Sequence, residues 1–206
     1  MTEDDARRAL SDLDVSRETL SRIERVVDLL AEWRKKLNLV GPREMEHVWA
    51  RHVLDSAQLL PIVGHAPNIL DIGSGAGFPG LILACDCVDT DGHVAMVESV
   101  GKKCAFLSTV IADLSLPARV HNKRVEALDP APVDFVTARA LAPLPKLLSY
   151  TAPWIGAGAT GLFFKGEHWR DELTDAQEYW TLAYETIPSV TSETGVILKI
   201  MEAKRV

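Results

Sequence analysis

Residues 69–80 read Ile-Leu-Asp-Ile-Gly-Ser-Gly-Ala-Gly-Phe-Pro-Gly. An apolar run enters as a strand, glycines at every second position turn the chain, and a helix leaves. Gly73, Gly75 and Gly77 allow sharp bends and let a ligand approach with no Cβ in the way. Pro79 suits the first turn of the departing helix, where no N–H partner is needed. Such a loop belongs at the carboxyl end of a first strand, where open α/β sheets bind ligands.

Downstream, short apolar runs alternate with amphipathic stretches, the pattern of a parallel sheet with crossover helices. Strands are predicted near Asn68–Ile72, His93–Glu98, Ala118–His121, Asp134–Ala138 and Gly161–Lys165. Helices are predicted near Gly80–Cys85, Lys102–Leu114, Leu144–Ala152 and Asp171–Trp180. Two further strands, Leu182–Ile187 and Gly195–Met201, are joined by only a polar loop, which suits an antiparallel hairpin. Upstream, Ser16 caps a helix bearing Leu20, Ile23, Val27, Leu30 and Leu37, closed by Gly41-Pro42. A second helix is expected from Glu44 to Leu60. Residues 1–15 are polar and acidic and are expected to be frayed or loosely docked. The fold class is therefore α/β, a Rossmann-like, mostly parallel sheet over residues 65–206 with a C-terminal antiparallel strand. An N-terminal helical extension over residues 1–64 packs with it as one unit.

Composition narrows the class. The 206 residues are 47% hydrophobic and 25% charged, as in globular proteins with a core large enough to need no staple. Lys plus Arg number 22 against 29 Asp plus Glu, a net charge of −7 that excludes a polybasic tail but not a local basic face. From Trp33 to Arg51 five Lys or Arg stand against two Glu, a local +3; from Met1 to Glu32 five Arg stand against nine acids, a local −4. No apolar run approaches the roughly 20 residues of a membrane span. The acidic N-terminus lacks the apolar region of a secretory signal. Cys85, Cys87 and Cys104 show no metal-ligand spacing, so reduced thiols in a cytoplasmic protein and no bound metal are expected.

Two ligands fit the glycine loop. Gly75-x-Gly77-x-x-Gly80 matches the dinucleotide fingerprint, and Asp71-x-Gly73-x-Gly75-x-Gly77 matches the loop that holds S-adenosylmethionine in methyltransferases. Both want an acid at the end of the second strand for ribose hydroxyls, and Glu98 supplies it. The terminal hairpin and the lack of room for a second substrate domain favour the methyltransferase.

Several motifs together resemble the small-subunit (16S) rRNA guanine-N7 methyltransferases, the glucose-inhibited division protein B family. They are Trp33 with Asn38-Leu39, Arg51-His52-x-Leu54-Asp55-Ser56, the loop Asp71–Gly80, and Glu98-Ser99 with Lys102-Lys103 and Phe106-Leu107. Arg124-Val125-Glu126, Arg139-Ala140 and Phe164-Lys165-Gly166 complete them, and the likeness runs from about Leu30 to Ile200. One departure is Val40, where many relatives carry a hydroxyl residue.

The resemblance implies a class I S-adenosylmethionine-dependent methyltransferase fold and methylation of one guanine N7 in 16S rRNA, free or within the small ribosomal subunit. It implies cofactor contacts from Gly73, Phe78, Val125, Glu126 and Arg139, which join Gly75, Gly77 and Glu98 from the loop argument. Arg51, His52, Arg124, Arg139 and Lys165 are the candidates for the RNA. Guanine N7 carries a lone pair and no proton, so in-line transfer requires no general base, metal or covalent intermediate, and no catalytic residue is assigned. A monomer acting without a membrane is expected. Plainer roles stand beside these: a buried structural histidine at position 52, an Arg139–Asp71 ion pair, a surface lysine at 165, and a Phe78 ring packed beneath the loop.

Overall fold

A computed structural model describes residues 2–13 and 15–206. The N-terminal part comprises α1 (Glu3–Asp12), α2 (Arg17–Trp33), α3 (Pro42–Met45), a π-helical segment (Trp49–Leu54), α4 (Asp55–Ala57) and α5 (Leu60–Val63). The α/β part follows: β1 (Asn68–Ile72), α6 (Gly80–Cys87), β2 (His93–Glu98), α7 (Gly101–Leu114), β3 (Ala118–Asn122) and a single 3-10 turn, Val125–Ala127. It ends with β4 (Phe135–Arg139), α8 (Leu144–Gly156), β5 (Thr160–Lys165), α9 (Trp169–Gln177), β6 (Trp180–Pro188) and β7 (Val196–Arg205).

The sheet order is β3-β2-β1-β4-β5-β7-β6. β1 to β5 run parallel, and β7 lies antiparallel between β5 and β6. The predicted hairpin is thus present, with its second strand inserted into the sheet. Alternation along each strand feeds two cores. Ile69, Val94, Met96, Leu162 and Ile197 pack beneath the N-terminal helices, α6 and α7. Leu70, Ile72, Val97, Val136, Phe163 and Leu198 pack against α8, α9 and β6. All three cysteines are free and buried.

Three sequence expectations change. The first concerns residues 1–15, whose described part is a docked helix. Thr2 and Asp5 form a reciprocal cap: the Asp5 N–H donates to Thr2 Oγ1 and the Thr2 N–H to Asp5 Oδ2, each at 3.1 Å. Ala6 and Leu10, four apart, bury completely or nearly so. The Glu3 carboxylate then accepts the N–H groups of Trp49 (3.0 Å) and Ala50 (3.3 Å), and Arg7 lies over the Trp49 ring at 3.8 Å. One of the acids here, Glu3, thus satisfies backbone donors at the start of the π-helical segment.

Second, α2 stops at Trp33 and does not reach Gly41, and Leu39 and Val40 bury from the irregular segment that follows it. Third, the expected Glu44–Leu60 helix is broken. Pro61 opens α5, and the middle widens into the π-helical segment, a distortion frequent at functional sites. We expect Glu3→Ala to remove two charge-assisted hydrogen bonds worth about 1–2 kcal/mol together. For a chain of this size that lowers Tm by roughly 2–4 °C per kcal/mol, as thermal unfolding by circular dichroism will show; an unchanged Tm overturns the docking role.

Candidate functional site

The glycine loop is tied to the end of β2. The N–H groups of Gly73 (2.8 Å) and Ser74 (3.1 Å) donate to Val97 O, and the Gly77 N–H closes the turn on Ser74 O at 2.7 Å. The buried Glu98 carboxylate joins this loop to the next: Oε2 accepts from the Gly75 N–H at 3.0 Å and Oε1 from the Val100 N–H at 2.7 Å. Gly75 sits at φ +57, and a Cβ there would meet only the Gly73 carbonyl oxygen, at an ordinary 3.7 Å. Gly77, at φ +93, faces the other way, where a side chain would strike Leu81 and Leu107.

A hollow of about 270 Å³ opens beside the loop. Gly73, Gly75, Glu98, Val125 and Glu126 line it, five of the eight expected cofactor residues, and Arg124 stands on its wall with Lys103 and Lys123. Gly77 does not line the hollow and packs against Leu81 and Leu107. Phe78 is buried away from the hollow, its ring stacked on His52 at 5.1 Å and 21°. Its aromatic side chain thus takes the plainer role, on the side of the N-terminal helices.

Arg139 belongs to a second, larger cleft of about 1010 Å³, which Arg51, His52 and Lys165 also line. Its guanidinium does not meet Asp71. It donates to Arg51 O at 2.8 Å, pairs with Asp55 Oδ2 at 3.3 Å, contacts His52 Nδ1 at 2.6 Å and lies 5.5 Å from the Phe78 ring centroid. Asp55 Oδ1 in turn accepts from Thr191 Oγ1 (2.6 Å) and Gln58 Nε2 (2.9 Å). Lys165 is not a surface lysine. Its side chain is only 6% exposed, and its ammonium binds Glu172 Oε2 at 2.7 Å and Ala142 O at 2.9 Å. Of the basic cluster at 34–51, Arg51 is the one that borders the cleft. Glu172, Thr191 and Leu141 were not legible as site residues, because nothing local marks a residue whose partner lies on another element.

Asp71 and His52 are buried with opposite electrostatic consequences. Burial pushes the Asp71 carboxyl up to about 6, against the hydrogen bond it accepts from Thr137 Oγ1 at 2.9 Å. Burial, and then the Arg139 charge beside it, push His52 down to about 4. With Nδ1 accepting from Arg139, His52 carries its proton on Nε2, which has no partner. Between about pH 4 and 6 the folded chain keeps a proton on Asp71 that the unfolded chain has lost, so Asp71 makes stability fall as pH rises. Between about pH 4 and 6.5 the unfolded chain holds a proton on His52 that the folded chain has lost, so His52 makes stability rise with pH. The two slopes oppose. Asp71→Asn is expected to expose a rise, and His52→Gln a fall, each on the order of 2–3 kcal/mol across that window. Urea denaturation at pH 4.5 and 6.5 measures both, and equal slopes in the two variants would refute the assignment.

Among the described residues, no group of three or more His, Cys, Asp or Glu side chains is placed to hold a metal ion, and no helix is long and apolar enough to cross a membrane. In fold, the chain is similar to the O-methyltransferase from Bacillus cereus solved with SAH, with a TM-score of 0.60 at 16% identity over 94% of this chain and 95% of that one. It is also similar to a SAM-dependent methyltransferase from Aquifex aeolicus, with a TM-score of 0.57 at 17% identity over 84% and 98%. These likenesses establish the class I methyltransferase sheet. In sequence, it is 55% identical to the ribosomal RNA small subunit methyltransferase G of Hyphomonas neptunium over 100% of this chain and 99% of that protein. It is 44% identical to the protein of that name from Gluconobacter oxydans over 93% and 98%. Residues 19–201 match the family described as GidB, rRNA small subunit methyltransferase G. A full-length match of this kind, on a sheet of the methyltransferase class, places the chain in the rRNA small subunit methyltransferase G family.

Proposed function

We propose that this protein transfers a methyl group from S-adenosylmethionine to N7 of one guanine in 16S rRNA, acting as a monomer in the cytoplasm. The observation that carries the reading is the pairing of two hollows at the carboxyl edge of the sheet. One is lined by the glycine loop and Glu98, the other by Arg51, His52 and Arg139. The smaller suits the cofactor: acidic Glu98 and Glu126 stand where ribose hydroxyls and an adenine amino group need acceptors, Val125 offers an apolar wall, and Gly75 leaves room for a ligand. When bound, S-adenosylmethionine supplies an activated methyl on a positively charged sulfur.

The protein's own residues then do the work of positioning. Glu98 fixes the loop that carries Gly75, and keeps carboxylate lone pairs free for hydroxyl donors. Guanine N7 presents a lone pair without a proton, so His52, neutral and pinned to Arg139, is not required as a base. Holding two reactants in aligned geometry can lower a barrier by roughly 7–11 kcal/mol at best, which leaves little for acid–base chemistry to add. Arg51 at the cleft and Arg124 with Lys103 and Lys123 at the hollow supply cations for RNA phosphates on either side of the reaction site. Arg139 shapes the cleft through its bonds to the π-helical segment.

The test is transfer of labelled methyl to small-subunit rRNA from cells lacking this protein, mapped by cleavage at N7-methylguanine. Label at a single guanine N7 is the expected result; no label on rRNA or on intact subunits, despite cofactor binding, would discard the substrate. Gly75→Val, strained at φ +57 but free of collision, should lower Tm modestly and lose S-adenosylmethionine binding in calorimetry, whereas Gly77→Val, strained and in collision with Leu81 and Leu107, should lower Tm more. Retained binding by Gly75→Val would move the cofactor elsewhere.

A further inference from the structure

Among the described residues, the two hollows have only Ala140 and Leu141 in common. This dipeptide therefore borders both. Leu141 is apolar yet 38% exposed, and its Cδ1 stands 2.5 Å from where a Cβ on Gly73 would be. It therefore covers the first glycine of the loop from the cleft side. Ala140 holds φ +52, a left-handed conformation a non-glycine residue keeps only when its surroundings impose it.

The residues that follow Leu141 are held from outside the β4–α8 connection. Lys165, the last residue of β5, donates to Ala142 O at 2.9 Å. Glu172, in the first turn of α9, accepts the Leu144 N–H at 2.7 Å. The two side chains bind each other at 2.7 Å. A largely buried ion pair is a poor source of stability, since desolvation offsets its attraction, but it fixes geometry well. Here it grips the turn at two points on the α8 side of Leu141.

We infer that the Lys165–Glu172 pair is a positioning latch for methyl transfer: it sets Leu141 as the wall of the passage between cofactor and guanine, and Lys165 does not contact RNA. The inference rests on the proposed assignment of the smaller hollow to S-adenosylmethionine and the larger to guanine. A latch and a phosphate contact make different demands on Glu172. If Lys165 served a phosphate, its carboxylate partner would be dispensable. If the pair is a latch, either half matters equally.

The experiment compares Lys165→Met, Glu172→Gln, the double variant and Lys165→Arg, with S-adenosylhomocysteine affinity by calorimetry and methyl transfer to small-subunit rRNA at several salt concentrations. Either single change is expected to lower kcat by about 10- to 100-fold, the scale of a displacement near 1 Å, with cofactor affinity and RNA KM little changed. The double variant, which removes both charges and keeps the volume, should be no worse than either single one, and Lys165→Arg should recover part of the rate. The salt dependence of RNA binding should keep its slope. A raised KM and a slope reduced by about one in Lys165→Met alone would make it a phosphate contact and overturn the latch. An active wild type with fully active variants would overturn the latch and leave the proposed function standing; an inactive wild type would overturn the function. The Leu141 methyl resonances, read without substrate, test the latch independently of activity: they should move in both single variants, and resonances fixed at the wild-type positions would end the idea.

Discussion

The guanidinium of Arg139 emerges at the end of β4 with a charge that must be matched in a poorly hydrated place, and one stretch of helix matches it. Arg51 contributes its carbonyl, Asp55 its carboxylate and His52 its Nδ1. Each partner is thereby constrained. His52 has to be neutral, with its proton on Nε2. Asp55, held on one side by Arg139, is held on the other by Thr191 in the β6–β7 connection. Gln58 adds a second link there by accepting the Val190 N–H at 3.0 Å. A single cation at a strand end thus joins the N-terminal helices, the parallel strands and the antiparallel hairpin. Two of these partners, Arg51 and His52, belong to the π-helical segment, and Asp55 follows it directly.

The two sides of the site are built on different physics. The glycine-loop side is backbone geometry, with glycines at positive φ pinned to β2 and Glu98 stitching two loops by their N–H groups. The cleft side is side-chain charge, matched pair by pair across long sequence separations. Glycine substitutions therefore act locally and on binding, and substitutions among the cleft charges spread into loops that no single contact map of the cleft would name.

That difference governs how much was legible in the sequence. Strand, triple glycine and Glu98 are local signals with a fixed spacing, and all lie where the spacing placed them. The five parallel strands are bounded to within a residue or so, because their apolar runs are short and ended by turn residues. Gly77 and Phe78 carry the same local signal as Gly75, and only packing in the folded chain shows that Gly75 lines the hollow while Gly77 abuts Leu81 and Leu107 and the Phe78 ring stacks on His52. Helix α1 was hidden by composition: two apolar residues, Ala6 and Leu10, are enough to dock it, and its acids read as solvation until Glu3 is seen on the Trp49 and Ala50 amides. Lys165 and Arg139 were visible as unusual charges at strand ends. Their partners, Glu172 and Asp55, lie on other elements, and no periodicity predicts such pairs.

The insertion of β7 has a temporal meaning. β6 has no neighbour in the sheet except β7, while β7 binds β5 on its other edge. Residues 180–188 therefore have no template when they are made; they wait for 196–205 to dock on β5. Until then β5 presents an open edge next to the site, and the Thr191 hydroxyl that braces Asp55 has no fixed place. The cofactor loop can form from β1 and β2 alone, whose pairing spans few residues. The glycine loop and Glu98 thus depend on contacts made early in the chain, whereas the brace on Asp55 depends on the last strands to be made.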